Sequence, residues 1–132
     1  MLTDIEPWNR KYVRTKDAPS SVPDEVLVAL QSHFCGAGWA LDVACGRGVN
    51  TAFLGDLGYE SVGIDCASEA LAQARRHFAD RRIHWLAADF DQFFFPKCFF
   101  NAVIVVRFLD RKLTSALVDS LAPGGLLFHR TF

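Results

Sequence analysis

Leu41-Asp42-Val43-Ala44-Cys45-Gly46-Arg47-Gly48-Val49-Asn50 is an apolar run that leads into an acid, followed by two glycines one residue apart and a segment of helical character. A buried parallel strand hands over in this way to a turn whose backbone approaches a ligand. Glycine suits such a turn because a side chain would block the approach or forbid the backbone angles. The stretch therefore predicts the floor of a nucleotide-type site.

Working outward toward the C-terminus, Ala52, Phe53 and Leu57 have helical spacing, and Gly58 sits where a C-cap glycine belongs. Ser61 to Ile64 reads as a second strand ending in Asp65. Ser68 is a candidate cap for a helix whose inner face is Leu71, Ala74 and Phe78. Ile83 to Ala88 is a third strand ending in Asp89, and Phe93-Phe94-Phe95-Pro96 with Phe99-Phe100 surrounds a loop or short helix. Ala102 to Val106 is a run without alternation, as expected of a strand covered on both faces. Leu113, Ala116, Leu117 and Leu121 mark another helix, stopped by Pro123-Gly124-Gly125, and Leu126 to Thr131 is a fifth strand. Toward the N-terminus, Trp39 to Val43 is the first strand. Pro23-Asp24-Glu25 opens a helix carried by Val26, Ala29, Leu30, His33 and Phe34. Residues 1–22 form a mixed polar arm in which Trp8 and Tyr12, four apart, can share a helical face.

The chain of 132 residues suggests one domain, arm plus a core over residues 23–132, large enough to bury a real core. With 51% hydrophobic and 22% charged residues it has the balance of a soluble globular protein. A net charge of −1 gives no polybasic surface for nucleic acid. No apolar run is long enough to span a membrane, and the first twenty residues lack the apolar region of a secretory signal. Cys35, Cys45, Cys66 and Cys98 have no metal or redox spacing, so reduced thiols in a cytoplasmic protein are expected, without a metal site.

Alternating strands and helices predict an α/β fold, a Rossmann-like doubly wound sheet of about five parallel strands. Right-handed crossovers place every strand's C-terminal end on one edge, where ligands of such sheets bind. Asp42, Asp65 and Asp89 all fall on that edge. Asp65, 17 residues beyond Gly48, can accept hydrogen bonds from both hydroxyls of a ribose. Asp89 can accept from an adenine amino group, with Phe90 or Ile64 flanking the ring. Asp42 faces an ammonium group or merely holds the glycine turn and the next helix. A dinucleotide site would want a third small residue where Thr51 stands, and an acid just before the glycines would repel a pyrophosphate. An adenosyl ligand with a cationic end fits better.

Asp-Val-Ala-Cys-Gly-Arg-Gly, then Gly-Ile-Asp, Ala-Asp-Phe and Pro-Gly-Gly before the last strand together resemble a class I S-adenosylmethionine-dependent methyltransferase. Within that superfamily, Trp8-Asn9-Arg10-Lys11-Tyr12 and Arg107-Phe108-Leu109-Asp110-Arg111 are similar to segments of the small-molecule group that includes the tellurite-resistance methyltransferases. The resemblance implies S-adenosylmethionine as methyl donor, S-adenosylhomocysteine as product and a small-molecule acceptor. It also implies that Trp8 and Tyr12 lie over the cofactor. Ala44, Gly46 and Gly48 would line its methionine portion, with Cys45 and Cys66 flanking the site. Asp65 would hold the ribose, Asp89 and Phe90 the adenine, and Arg107 would lie near the transferring methyl. Ala44 stands where many members have glycine, Asp110 where relatives often carry His, and Arg130 where they often carry Glu.

Methyltransferases of this class usually continue past the fifth strand with a helix and two further strands. Leu126-Leu127-Phe128 is therefore expected on an uncapped edge with an uncovered face, which predicts a homodimer through Leu126–Phe132. A fragment that binds the cofactor without turnover is the alternative to an enzyme. Transfer from an activated sulfonium is dominated by positioning. A soft nucleophile needs no base, whereas a hydroxyl or protonated amine does, and Asp110 and His129 are the candidates. Their plain alternatives are a helix cap for Asp110 and an edge-strand residue for His129. The Phe93–Phe100 cluster is expected to serve as core or lid packing, and Arg47 as a solvated loop cation.

Overall fold

A computed structural model describes Ile5 and residues 22–131. Trp8 and Tyr12, expected over the cofactor, and Phe132 lie outside the described residues. The elements run α1 (Glu25–Ala29), a 3-10 turn (Gln31–His33), β1 (Trp39–Val43), α2 (Val49–Asp56), β2 (Glu60–Asp65), α3 (Ser68–His77), β3 (Ile83–Ala87), β4 (Phe100–Val106), α4 (Thr114–Asp119) and β5 (Leu121–Arg130). The five strands form one parallel sheet in the order β3-β2-β1-β4-β5, a Rossmann-like α/β architecture. The order reverses at β1, so the switch point lies directly above the glycine turn.

Cross-strand register explains how the sheet is covered. Ala40, Ala102 and Leu126 lie in line across β1, β4 and β5, and they share a face with Ile104 and Phe128. This face buries Leu27 of α1, Leu54 of α2, and Phe34 and Tyr59 from the connections. The opposite face carries Leu41, Val43, Val103 and Val105 against Leu113 and Leu117, with Phe93, Phe95 and Leu127 packed alongside. The Phe-rich loop is thus packing for the second face, although Phe94 itself is 94% exposed.

Several sequence expectations are corrected. The first helix is shorter than its apolar stripe: Leu30 breaks it, and Phe34 is already extended, its ring set against Tyr59 and Phe128. Ser68 does not cap α3. The preceding turn is held by Asp65, whose Oδ1 accepts the Ala67 N–H at 2.8 Å. Pro123-Gly124-Gly125 does not stop α4, which ends at Asp119. It forms a bulge inside β5 between Leu121, paired with Phe100, and Leu126, paired with Ala102. Proline cannot donate to the ladder, and the extra residues are looped out. The faces of β5 are not bare: Phe128 is buried against Phe34, and Leu127 packs on the α4 side.

Candidate functional site

The glycine turn is built from backbone pairing that overshoots the strands. Cys45 N–H donates to the Ile64 carbonyl and Ala88 N–H to the Asp65 carbonyl, each at 3.0 Å, so the ladder continues one step beyond β1 and β3. The chain then turns sharply. Ala44, Gly46 and Gly48 all have positive φ, at 60°, 56° and 85°. Ala44 thus adopts the left-handed conformation despite its Cβ. The turn closes with Gly48 N–H donating to the Cys45 carbonyl at 3.0 Å.

Gly48 is glycine for two reasons. Its φ is left-handed, and an added Cβ would lie 2.3 Å from Cη2 of Trp85. Trp85 sits on β3 directly across from Gly63, where an added Cβ would also fall within 2.8 Å of the indole. The Trp85 ring therefore lies across both glycines and buttresses the turn from the helix side, with Phe78, the C-cap of α3, stacked against it. Sequence reading assigned no role to Trp85. Gly63 in register with Trp85 is the available signal, and it needs the sheet order to be read.

Asp65 ends β2 and is buried. Its Oδ2 accepts the Gly46 N–H at 2.8 Å while Oδ1 accepts from Ala67, so one carboxylate ties the glycine turn to the start of α3. Burial pushes its pKa up, opposed by hydrogen bonds from the Ala67, Gly46 and Cys66 backbone. Asp42, 2% exposed, accepts from the Thr51 hydroxyl at 2.7 Å. Of its two readings, holding the turn to α2 is the one the geometry displays. Burial, opposed by the Thr51 hydrogen bond and reinforced by the charge of Asp65, raises its pKa to about 7. Burial and the same two carboxylates push the Cys45 thiol well up. Burial and Asp65 push Cys66 up to about 11. Both thiols stay protonated, poor nucleophiles beside the site.

Asp89 follows β3 by two residues and caps its own turn, Oδ1 accepting the Asp91 N–H at 3.0 Å. Of the two residues proposed to flank an adenine, Ile64 is fully buried inside β2 and cannot. Phe90 is only half-buried, its ring edge-on to Phe108 at 5.6 Å. That contact joins the segment after β3 to the segment after β4. Arg107 is exposed at the C-terminal end of β4 with φ 57°, and its N–H donates to the Arg130 carbonyl at 2.7 Å. Asp110 Oδ1 accepts the Lys112 N–H at 3.0 Å, and its carbonyl accepts from Leu113, so it caps the turn into α4. Arg47 is not simply solvated. Its Nε donates to Gln73 at 2.7 Å.

Arg130 does not face the ligand edge. Its guanidinium clamps the carboxylate of Asp24 at 2.9 and 3.1 Å, while Asp24 caps α1 through Val26 and Leu27 N–H and its own N–H donates to Asn50 of α2. Among the described residues no three His, Cys, Asp or Glu side chains cluster as a metal site, and no helix is long and apolar enough to cross a membrane.

The edge therefore gathers Ala44–Gly48, Asp65, Cys66, Asp89, Phe90 and Arg107 around the switch point, with Asp42 beneath. A family model described as a methyltransferase domain matches residues 40–125. No curated protein matches the chain. Among solved structures, an S-adenosylmethionine-dependent methyltransferase from Mesorhizobium loti superposes with a TM-score of 0.69 at 24% identity, over 79% of this chain and 52% of that one. The PH0226 protein from Pyrococcus horikoshii superposes with 0.68 at 23% identity, over 80% and 55%. A TehB-like SAM-dependent methyltransferase from Corynebacterium glutamicum gives 0.66 at 16% identity, over 95% and 71%. The chain thus spans about half the length of the first two.

Proposed function

This chain belongs to the methyltransferase-domain family, and on that premise we propose that it binds S-adenosylmethionine and transfers its methyl group to a small-molecule acceptor. The observation that carries the reading is the Asp65–Gly46 hydrogen bond at 2.8 Å, which fixes an acid at the end of β2 against the backbone of a glycine turn. A structural neighbour complexed with sinefungin and another with S-adenosylhomocysteine support the choice of ligand.

The residues present fit that group. Asp65 takes the Gly46 N–H on one oxygen and the Ala67 N–H on the other, with the Cys66 N–H also donating to it, and a carboxylate with about four lone-pair sites keeps acceptor capacity for a ribose hydroxyl. Ala44, Cys45, Gly46 and Gly48 offer a close backbone approach for the methionine portion, and Asp89 with Phe90 an acceptor and an aromatic face for adenine. Trp8 and Tyr12 are proposed as its cover. The carboxyl groups of Asp42 and Asp65, both desolvated, line the floor, and a cationic ligand above them would favour their ionised forms.

When bound, S-adenosylmethionine supplies an electrophilic methyl on sulfonium. The chain's own residues orient and shield. Asp65 and the turn fix the adenosine and methionine ends, and the Phe90–Phe108 pair excludes water from the β3–β4 side. Arg107 at the end of β4 and Asp110 beyond it are proposed to face the acceptor. The motifs at Trp8–Tyr12 and Arg107–Arg111 favour a member of the tellurite-resistance-like group, acting in the cytoplasm. Asp65→Ala tests the reading. S-adenosylhomocysteine affinity should fall well over tenfold by calorimetry while the circular dichroism spectrum is retained. Unchanged affinity in a folded variant would overturn it.

A further inference from the structure

Resting on that methyl-transfer reading, we propose that His129 is the base that takes the proton of the acceptor, and that the acceptor is a hydroxyl or amine compound. Val43, Val105 and His129 lie in register across β1, β4 and β5, all on the α4 face. Val43 is the last residue before the glycine turn, and Val105 is two residues before Arg107. His129 is therefore one strand spacing, about 5 Å, from the end of β4 and two from the turn. It lines a cleft shared with Val43, Val105, Phe108 and Asp110. With a volume of about 10 Å³, the cleft has room for about one water. His129 is also exposed to solvent, so an acceptor's reacting group can reach it while the body of the acceptor stays outside the cleft.

The protonation pattern is set by one contact. Nε2 of His129 lies 3.1 Å from the carbonyl oxygen of Phe108. A carbonyl only accepts, so Nε2 carries the hydrogen, and in the neutral ring Nδ1 holds the lone pair. Among the described residues nothing hydrogen-bonds Nδ1. Asp110, the other ionisable group lining the cleft, already accepts the Lys112 N–H and caps the turn into α4. Its carboxylate is committed to structure, whereas the imidazole presents a free basic nitrogen on a rigid strand. The Phe108 carbonyl belongs to the segment that also carries the ring packed on Phe90, so the contact that orients the base is continuous with the site wall.

In the step, the O–H proton of a hydroxyl acceptor, or an N–H proton of a protonated amine, passes to Nδ1, giving imidazolium. The freed lone pair forms the new bond to the methyl carbon, and the electron pair of the broken carbon–sulfur bond stays on sulfur. Imidazolium then returns its proton to solvent. A thiolate or metalloid anion requires no such device.

The test uses His129→Gln, whose side-chain amide still donates to the Phe108 carbonyl. S-adenosylhomocysteine affinity is expected to stay within about twofold of wild type, while turnover of a panel of substituted phenols and secondary amines falls by about 10²–10⁴-fold. Independently of turnover, the imidazole ¹⁵N–¹H spectrum of the whole chain should show the Nε2–H tautomer, and phenol alone should move the Nδ1 resonance. An Nδ1–H tautomer, or a variant that turns over protic acceptors at the wild-type rate, overturns the proposal. So does a wild type that binds S-adenosylhomocysteine but methylates only aryl thiols or selenite, or no protic acceptor. A wild type that does not bind S-adenosylhomocysteine overturns the methyl-transfer reading itself.

Discussion

Arg130 Nη1 lies 2.9 Å from Asp24 Oδ2, joining residues 106 positions apart: the end of the last strand and the cap of the first helix. The Asp24 side chain is 2% exposed and that of Arg130 35%. Through its own N–H, Asp24 also holds Asn50 at the start of α2. Asp24 therefore fastens α1 to the β5 end through its carboxylate and to the helix that follows the glycine turn through its backbone N–H. Burial raises its pKa, but hydrogen bonds from Leu27 and Val26 N–H and from Arg130, with the charge of Arg130, overcome this and leave it lowered.

Arg130→Met should cost about 1.5–3 kcal/mol, the range for a hydrogen bond to a charged group whose loss leaves a buried partner. The sign of the pH dependence follows from the depressed pKa. Asp24 contributes stability in full above the ordinary carboxylate range, and the contribution is lost as pH falls through its lower folded value. Urea melts of wild type and variant should therefore converge toward acid. A constant gap across that range contradicts the assignment.

Asp42 has the opposite sign. Its folded pKa of about 7 lies above its unfolded value, so its neutral form is favoured in the folded chain. Its contribution is fully present below the unfolded value and is lost as pH rises toward about 7. Asp42→Asn keeps an oxygen to accept from the Thr51 hydroxyl and removes the charge. Relative to this variant, wild type should lose stability between pH 5 and pH 8. Parallel stability curves would show that Asp42 stays ionised in the fold.

Gly48→Ala places a Cβ 2.3 Å from Trp85 Cη2 at a φ of +85°. The clash and the left-handed backbone together should cost about 2–4 kcal/mol. The steric part belongs to a pair. In a Trp85→Phe background, which lacks the outer indole atoms, the penalty should shrink by about 1 kcal/mol. An unchanged penalty would assign the whole cost to the backbone.

The sequence announced the α/β class, the five strands and the acids at their ends, because strand runs and glycine punctuation are local signals. Asp65 was legible for the same reason, since its spacing from the turn is a motif. What local reading missed depended on partners far along the chain. Arg130 stood out only as a departure from relatives, and its role requires Asp24 at the other end of the fold. Trp85 acquires meaning only when Gly48 and Gly63 are placed opposite it. Pro123-Gly124-Gly125 suits a helix stop as well as a bulge, and only the pairing of Leu121 with Phe100 decides. Asp42 has two local readings of equal standing, and only the Thr51 hydroxyl, 2.7 Å away, separates them.

The central claim is that the turn at Ala44–Gly48 with Asp65 is a methyl-donor site. Calorimetric titration of the wild-type chain with S-adenosylhomocysteine, alongside a reduced nicotinamide dinucleotide, tests it most directly. The account predicts saturable binding of S-adenosylhomocysteine at one site per chain and none of the dinucleotide. Binding of the dinucleotide, or no heat from S-adenosylhomocysteine with a folded chain, would contradict it.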